Sequence, residues 1–166
     1  MNCSIKLGWN VKELSTGVSG IATQMIEESN GNIKIVVVQP RVKEDGTVID
    51  SFFYDHQLIV KLDDGIADKV TQPPAPCKVK IGDKVRDTIS GYTGVVTEIG
   101  LHMNGCYRVA TTGDKLVKGK LQHEGVSDLR LEVIEPVTRT TNTPKTRTGG
   151  PAVRAPSNRV QRSRPS

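Results

Sequence analysis

The chain has 166 residues, enough for one ordinary domain or two small ones, and only 36% are hydrophobic and 4% aromatic, which suits small barrels better than one large core. No apolar run approaches about 18 residues, and the opening MNCSIKLGWN has no apolar stretch like a signal peptide, so membrane contact is not expected and a cytosolic setting is. The net charge of +5 is uneven: residues 136–166 hold seven Lys or Arg and no acid, while the other 135 hold 16 basic and 18 acidic residues, a net of −2.

In chain order, TGVSGIATQM (16–25) holds the first Gly-x-x-Gly corner, at Gly17 and Gly20, expected to turn the chain between the first two strands. Asn30 and Gly31 then mark a tight turn, since both residue types tolerate the positive φ of a two-residue hairpin loop. IKIVVVQP (33–40) and VIDSFFYD (48–55) read as strands, with KEDG (43–46) as the turn between them. The segment DDGIADKVTQPPAPC (63–77) reads as a connector, and Pro73, Pro74 and Pro76 favour an extended, semi-rigid one. KIGDKVRDT (80–88) is a short strand with an apolar beat at Val79, Ile81 and Val85. A second corner follows at Gly91 and Gly94. GVVTEIGL (94–101) alternates imperfectly, but its β-branched content favours a strand, and Asn104-Gly105 turns it into CYRVATTG (106–113). LRLEVIE (129–135) closes the chain's patterned part, with Leu129, Leu131 and Val133 expected on one face. No sustained helical period appears.

Shifted by 74 residues, the chain matches itself. Cys3, Lys6, Gly8, Val11, Gly17, Gly20, Thr23, Asn30 and Gly31 fall on Cys77, Lys80, Gly82, Val85, Gly91, Gly94, Thr97, Asn104 and Gly105 without a gap. At the roughly 6% identity that residue usage gives per position, about two matches would arise by chance. Near the end of each copy a one-residue change of shift sets DHQLIV (55–60) against DLRLEV (128–133). The expected fold is therefore all-β: two tandem small barrels from an internal duplication, at 1–62 and 78–135, joined by 63–77 and followed by an extended basic arm at 136–166.

The glycine corners do not fit a ligand loop. A Walker-type loop needs a longer spacing and then Lys-Ser/Thr opening a helix, a dinucleotide fingerprint needs a third glycine and a helix, and a KH-type loop sits between helices. A structural turn fits: the first glycine takes a conformation closed to other residues and the second opens a strand where side chains would crowd. Both copies keep the glycines while the residues between them change from Val18-Ser19 to Tyr92-Thr93.

IGDKVRDTISGYTGVVTEI (81–99) resembles the KOW motif of SH3-like barrels through Gly82, Asp83, Val85, Gly91, Gly94, Val96 and Ile99, while the first copy departs from it at Trp9 and Asn10. The chain also resembles short proteins of tailed bacteriophages that carry a Gly-Asp-Lys-Val opening, a glycine corner, an Asn-Gly-Cys hairpin, a Val-Gln-Pro loop and an aromatic-Asp close. Those elements are split here between NGC (104–106) in the second copy and VQPRVKEDG (38–46) and FYDHQLIV (53–60) in the first. The resemblance covers most of the body and none of 136–166. It implies a virion component assembled in the host cytoplasm, with capsid, neck or tail proteins as partners.

No catalytic constellation is legible. His56, His102 and His123 lie apart, Asp55 and His56 would face opposite sides of a strand, and His102 with Cys106 lacks a third orienting group. Cys3, Cys77 and Cys106 form no C-x-x-C pair, so no disulfide framework, metal site or cofactor is expected, nor a small-molecule substrate. As a nucleic-acid platform the body is weak: residues 1–72 carry a net of −3 and 73–135 a net of +1, with a local patch at Lys115, Lys118 and Lys120. Trp9, Phe52, Phe53, Tyr54, Tyr92 and Tyr107 are expected in the core or at its rim rather than as stacking platforms. The arm differs: Arg139, Lys145, Arg147, Arg154, Arg159, Arg162 and Arg164 are spaced among Pro, Gly, Thr and Ser, which suits contact with an acidic protein surface or nucleic acid. The expected function is a non-enzymatic structural protein of a phage virion, a capsid decoration or accessory protein docking through barrel loops and the arm. The alternative is a KOW-type RNA- or DNA-binding protein acting in transcription or translation.

Overall fold

The computed structural model describes residues 3–47, 51–117 and 120–138, and it is all-β. Each copy contributes five strands. The first has β1 (Asn10–Glu13), β2 (Ser19–Glu28), β3 (Ile33–Val38), β4 (Phe52–Asp55) and β5 (Ile59–Asp63). The second has β6 (Lys84–Asp87), β7 (Thr93–His102), β8 (Tyr107–Val117), β9 (Lys120–Ser127) and β10 (Leu131–Glu135). All pairings are antiparallel, and within a copy they run β5–β1–β2–β3–β4, or β10–β6–β7–β8–β9. The sheet is open, because no ladder among the described residues joins β4 to β5 or β9 to β10.

The imperfect alternation of β2 and β7 has a local cause. In β2 the register against β3 slips between Ala22 and Gln24, and in β7 the register against β8 slips between Val96 and Glu98. The extra residues are Thr23 and Thr97, an identical pair in the duplication, and each hydroxyl donates to a carbonyl of the next strand, Val36 or Ala110, at 3.3 Å. Each bulge switches the inward face from Gly20 and Ala22 to Met25, and from Gly94 and Val96 to Ile99. A bulge also bends its strand. The first part of β2 pairs with β1, and its last part, on the same edge, pairs with the other copy.

That last pairing joins the copies. Gln24, Met25, Ile26, Glu27 and Glu28 of β2 face His102, Leu101, Gly100, Ile99 and Glu98 of β7. Exchanging each residue for its equivalent 74 positions away returns the same set of pairs, so the ladder has a local two-fold axis through the Ile26–Gly100 pair. It is the self-complementary contact of a symmetric dimer, here made within one chain. Two apolar clusters flank it, one around Val11, Ile35 and Val37, the other around Val85, Val96 and Val109.

Several expectations change in detail. The far ends of the copies superpose at an offset of 72, not at the 73 read from DHQLIV and DLRLEV. The 3-10 turn His56–Leu58 matches Asp128–Arg130, and buried Ile59 matches buried Leu131. Leu129 lies in that turn at 72% exposure instead of sharing an inward face with Leu131, because the turn breaks the two-residue period. Phe53 is also exposed rather than in the core or rim. The hairpin loops at Asn30-Gly31 and Asn104-Gly105 enclose three residues, not two. Glu28 and His102 donate to the carbonyls of Asn32 and Cys106, and Gly31 and Gly105 donate back to Glu28 and His102.

Candidate functional site

The two glycine corners are built alike. Gly17 and Gly91 both have φ of +74° and an N–H donating to the carbonyl four residues back, Glu13 or Asp87; a Cβ would meet nothing at Gly91 and only Lys12 Cε, at 3.9 Å, at Gly17. Gly20 and Gly94 have ordinary φ but no room. A Cβ on Gly20 would collide with the Val38 carbonyl, and one on Gly94 would lie 2.8 Å from the Thr112 carbonyl oxygen. Of the variable residues between them, Tyr92 fastens the corner to β9, its hydroxyl donating to the Gln122 carbonyl at 3.2 Å.

Sequence reasoning missed the acid under each corner. Glu13 and Asp87 are buried at 1% and 2% exposure and occupy equivalent places. Glu13 accepts from the hydroxyls and backbone N–H groups of Ser15 and Thr16, and these donors lower its pKa from the ordinary 4.5 to about 2. Asp87 accepts from Ser90 and Ile89 and from Arg130, whose Nε and Nη2 lie at 3.1 and 2.5 Å; Arg130 first, then Ser90, hold its carboxyl far below the usual range. The available signal was an acid four residues before the first glycine, E-x-x-x-G and D-x-x-x-G, a chemical match that a search for identities passes over. These groups are satisfied turn anchors, with their lone pairs engaged in the fold.

The histidines are not brought together. His56 opens a 3-10 turn instead of continuing β4, so its ring comes within 3.5 Å of Asp55 after all, although Nδ1 is already 3.0 Å from the Ile33 carbonyl. His123 pairs with the Thr112 hydroxyl. His102 shares a backbone hydrogen bond with Cys106 across the hairpin, but its Nε2 is enclosed without a partner, and desolvation, then Arg108, lower its pKa. Lys120 is exposed, while the side chains of Lys115 and Lys118 lie outside the described residues. The arm residues Arg139, Lys145, Arg147, Arg154, Arg159, Arg162 and Arg164 also lie outside them.

Among the described residues lies a groove of about 800 Å³. It straddles the internal two-fold: its lining includes Cys3 with Cys77, Ile5 with Val79, Lys6 with Lys80, Leu7 with Ile81, and Met25 with Ile99, all pairs 74 apart. The connector closes one side with Val70 and Pro73, and Val137 closes another. Two contacts hold these flanks. Thr71 donates to the Met103 carbonyl at 2.9 Å, and Val137 donates to Asp83 Oδ1 at 2.8 Å. Burial raises the pKa of the Cys77 thiol, which makes it a poor nucleophile. The groove therefore offers mixed apolar and polar surface, with two symmetry-related lysines, Lys6 and Lys80, in its lining. A smaller hollow of about 400 Å³ lies between the first glycine corner and Gln39–Arg41, at the start of the VQPRVKEDG loop.

No family model, no curated protein and no solved structure matches this chain.

Proposed function

We propose that the protein is a non-enzymatic docking component of a tailed-phage virion, with capsid decoration as its first placement and neck or tail as the other. The observation that carries this reading is the two-fold ladder between β2 and β7. It joins two equivalent copies edge to edge in one continuous sheet, which suits a mount for contacts with a repeating surface. Each copy is taken as an SH3-like barrel, a reading supported by the strand order β5–β1–β2–β3–β4 and by the 3-10 turn before the last strand. The uneven charge adds to it: a nearly neutral body suits protein contacts, and the basic arm suits an acidic surface next to them. Purified, washed particles subjected to quantitative mass spectrometry should contain the protein in a fixed ratio to the major capsid protein. Its loss during washing would end this reading.

The second reading, nucleic-acid binding, is favoured by the seven basic residues of the arm. It expects binding to RNA or DNA that falls steeply with salt. Binding that survives substitution of all seven by Gln would make the barrels the readers.

A further inference from the structure

We infer that the groove on the internal two-fold is a docking site for an acidic partner segment: an extended peptide with apolar residues for the groove floor and carboxylates at both ends. This rests on the reading of the chain as a docking protein. Three observations on the groove carry it. The apolar part of its lining is doubled by the two-fold, with Leu7 and Ile81 or Met25 and Ile99 repeating on each side. Its cations are doubled as well, because Lys6 and Lys80 are exposed and equivalent, although Lys6 also stands 5.7 Å from the Trp9 ring. Glu27, facing Ile99 across the seam, is the one acid in the lining among the described residues, so their formal charge is positive.

Where the chain leads adds the fourth. Val137 lines the groove, and the 28 residues from Arg139 onward, just past it, carry seven basic residues and no acid. Groove and arm share one sign, which disfavours the chain's own arm as the occupant and favours a negatively charged one. The doubling makes the groove palindromic. A segment with a carboxylate at each end can satisfy Lys6 and Lys80 in either direction, and a two-fold partner can satisfy both at once.

The test uses the full chain, labelled with nitrogen-15, and two blocked heptapeptides: Asp-Ile-Thr-Ile-Thr-Ile-Asp and the same peptide with Lys at both ends. The acidic peptide should shift the amides of residues 5–7 and 79–81. The doubly reversed variant Lys6→Glu/Lys80→Glu should weaken it by about tenfold, as two exposed charge contacts turned repulsive would. The Lys-ended peptide should bind the parent chain weakly and the reversed variant better. The proposal is overturned if the acidic peptide shifts only residues 139–166, if it shifts nothing at millimolar concentration, or if both peptides bind alike. It is also overturned if the reversal, without peptide, shifts the amides of 139–166, which would place the arm in the groove. Both lysines are exposed, so the variant should keep the parent's dispersed spectrum. Absence from purified particles would instead remove the virion reading and leave this titration to decide the groove separately.

Discussion

Gly20 and Gly17 sit three residues apart yet are glycines for different reasons, and substitution separates them. Gly20→Ala drives a methyl into the Val38 carbonyl, part of a fixed backbone, and should cost about 1–3 kcal/mol in urea unfolding. Gly17→Ala places a side chain in the left-handed region with open surroundings and should cost about 1–2 kcal/mol. Beneath the same corner, Glu13 has a folded pKa of about 2 against an ordinary 4.5, so the unfolded chain binds its proton more readily. Its stabilising contribution is therefore complete above pH 4.5 and lost as pH falls toward 2. Glu13→Gln should lower the melting temperature at pH 7 and flatten the decline between those values; an unchanged decline would show that the carboxylate is not the titrating group. His102 titrates the other way in chemistry but with the same slope. Its pKa is depressed in the fold, so the stability due to it holds above the ordinary 6.5 and falls as acid forces a proton onto an enclosed ring. His102→Gln should remove the part of the melting-temperature loss seen between pH 7.5 and pH 5.5, roughly the range in which free histidine titrates.

At the scale of the element, β9 (Lys120–Ser127) was not read as a strand at all, and β2 and β7 were read without their bulges. Both were legible as strands and both corners as turns, and the duplication was legible almost residue by residue. The broken alternation of GVVTEIGL looked like a weak strand pattern, whereas it marks a bulge at Thr97. A bulge leaves a strand's composition intact and changes only its phase, so a two-residue period test loses the signal. The seam has its own electrostatic consequence. Glu28 and Glu98 face each other, and Lys34 holds Glu28 at 2.5 Å, lowering the acid's pKa through that contact. Lys34→Ala leaves two carboxylates opposed and should cost about 0.5–1 kcal/mol at low salt, shrinking at high salt because the Lys34 side chain is partly accessible to solvent.

For the whole molecule, the ladder from β2 to β7 couples two cores that the sequence presents as successive units. Ile35 is fully buried in the first, and Ile35→Ala should cost about 2–5 kcal/mol. With a continuous sheet, that loss should lower hydrogen-exchange protection in β8 and β9 of the second copy as well as in β3. Protection unchanged in the second copy would show that the halves open independently.

What the sequence determined by itself is local and repetitive. The paired glycines, the Asn-Gly hairpins and the short β-branched runs dictate backbone conformations within a few residues, and doubling them made the pattern visible above chance. Only the tertiary structure decided how the copies meet. An edge strand carries the same donors and acceptors whether it faces water, a partner or its own duplicate, so no residue type announces the β2–β7 ladder. The groove follows from that choice. Lys6 and Lys80 lie 74 residues apart in the chain, and it is the two-fold axis that sets them in the lining of one groove.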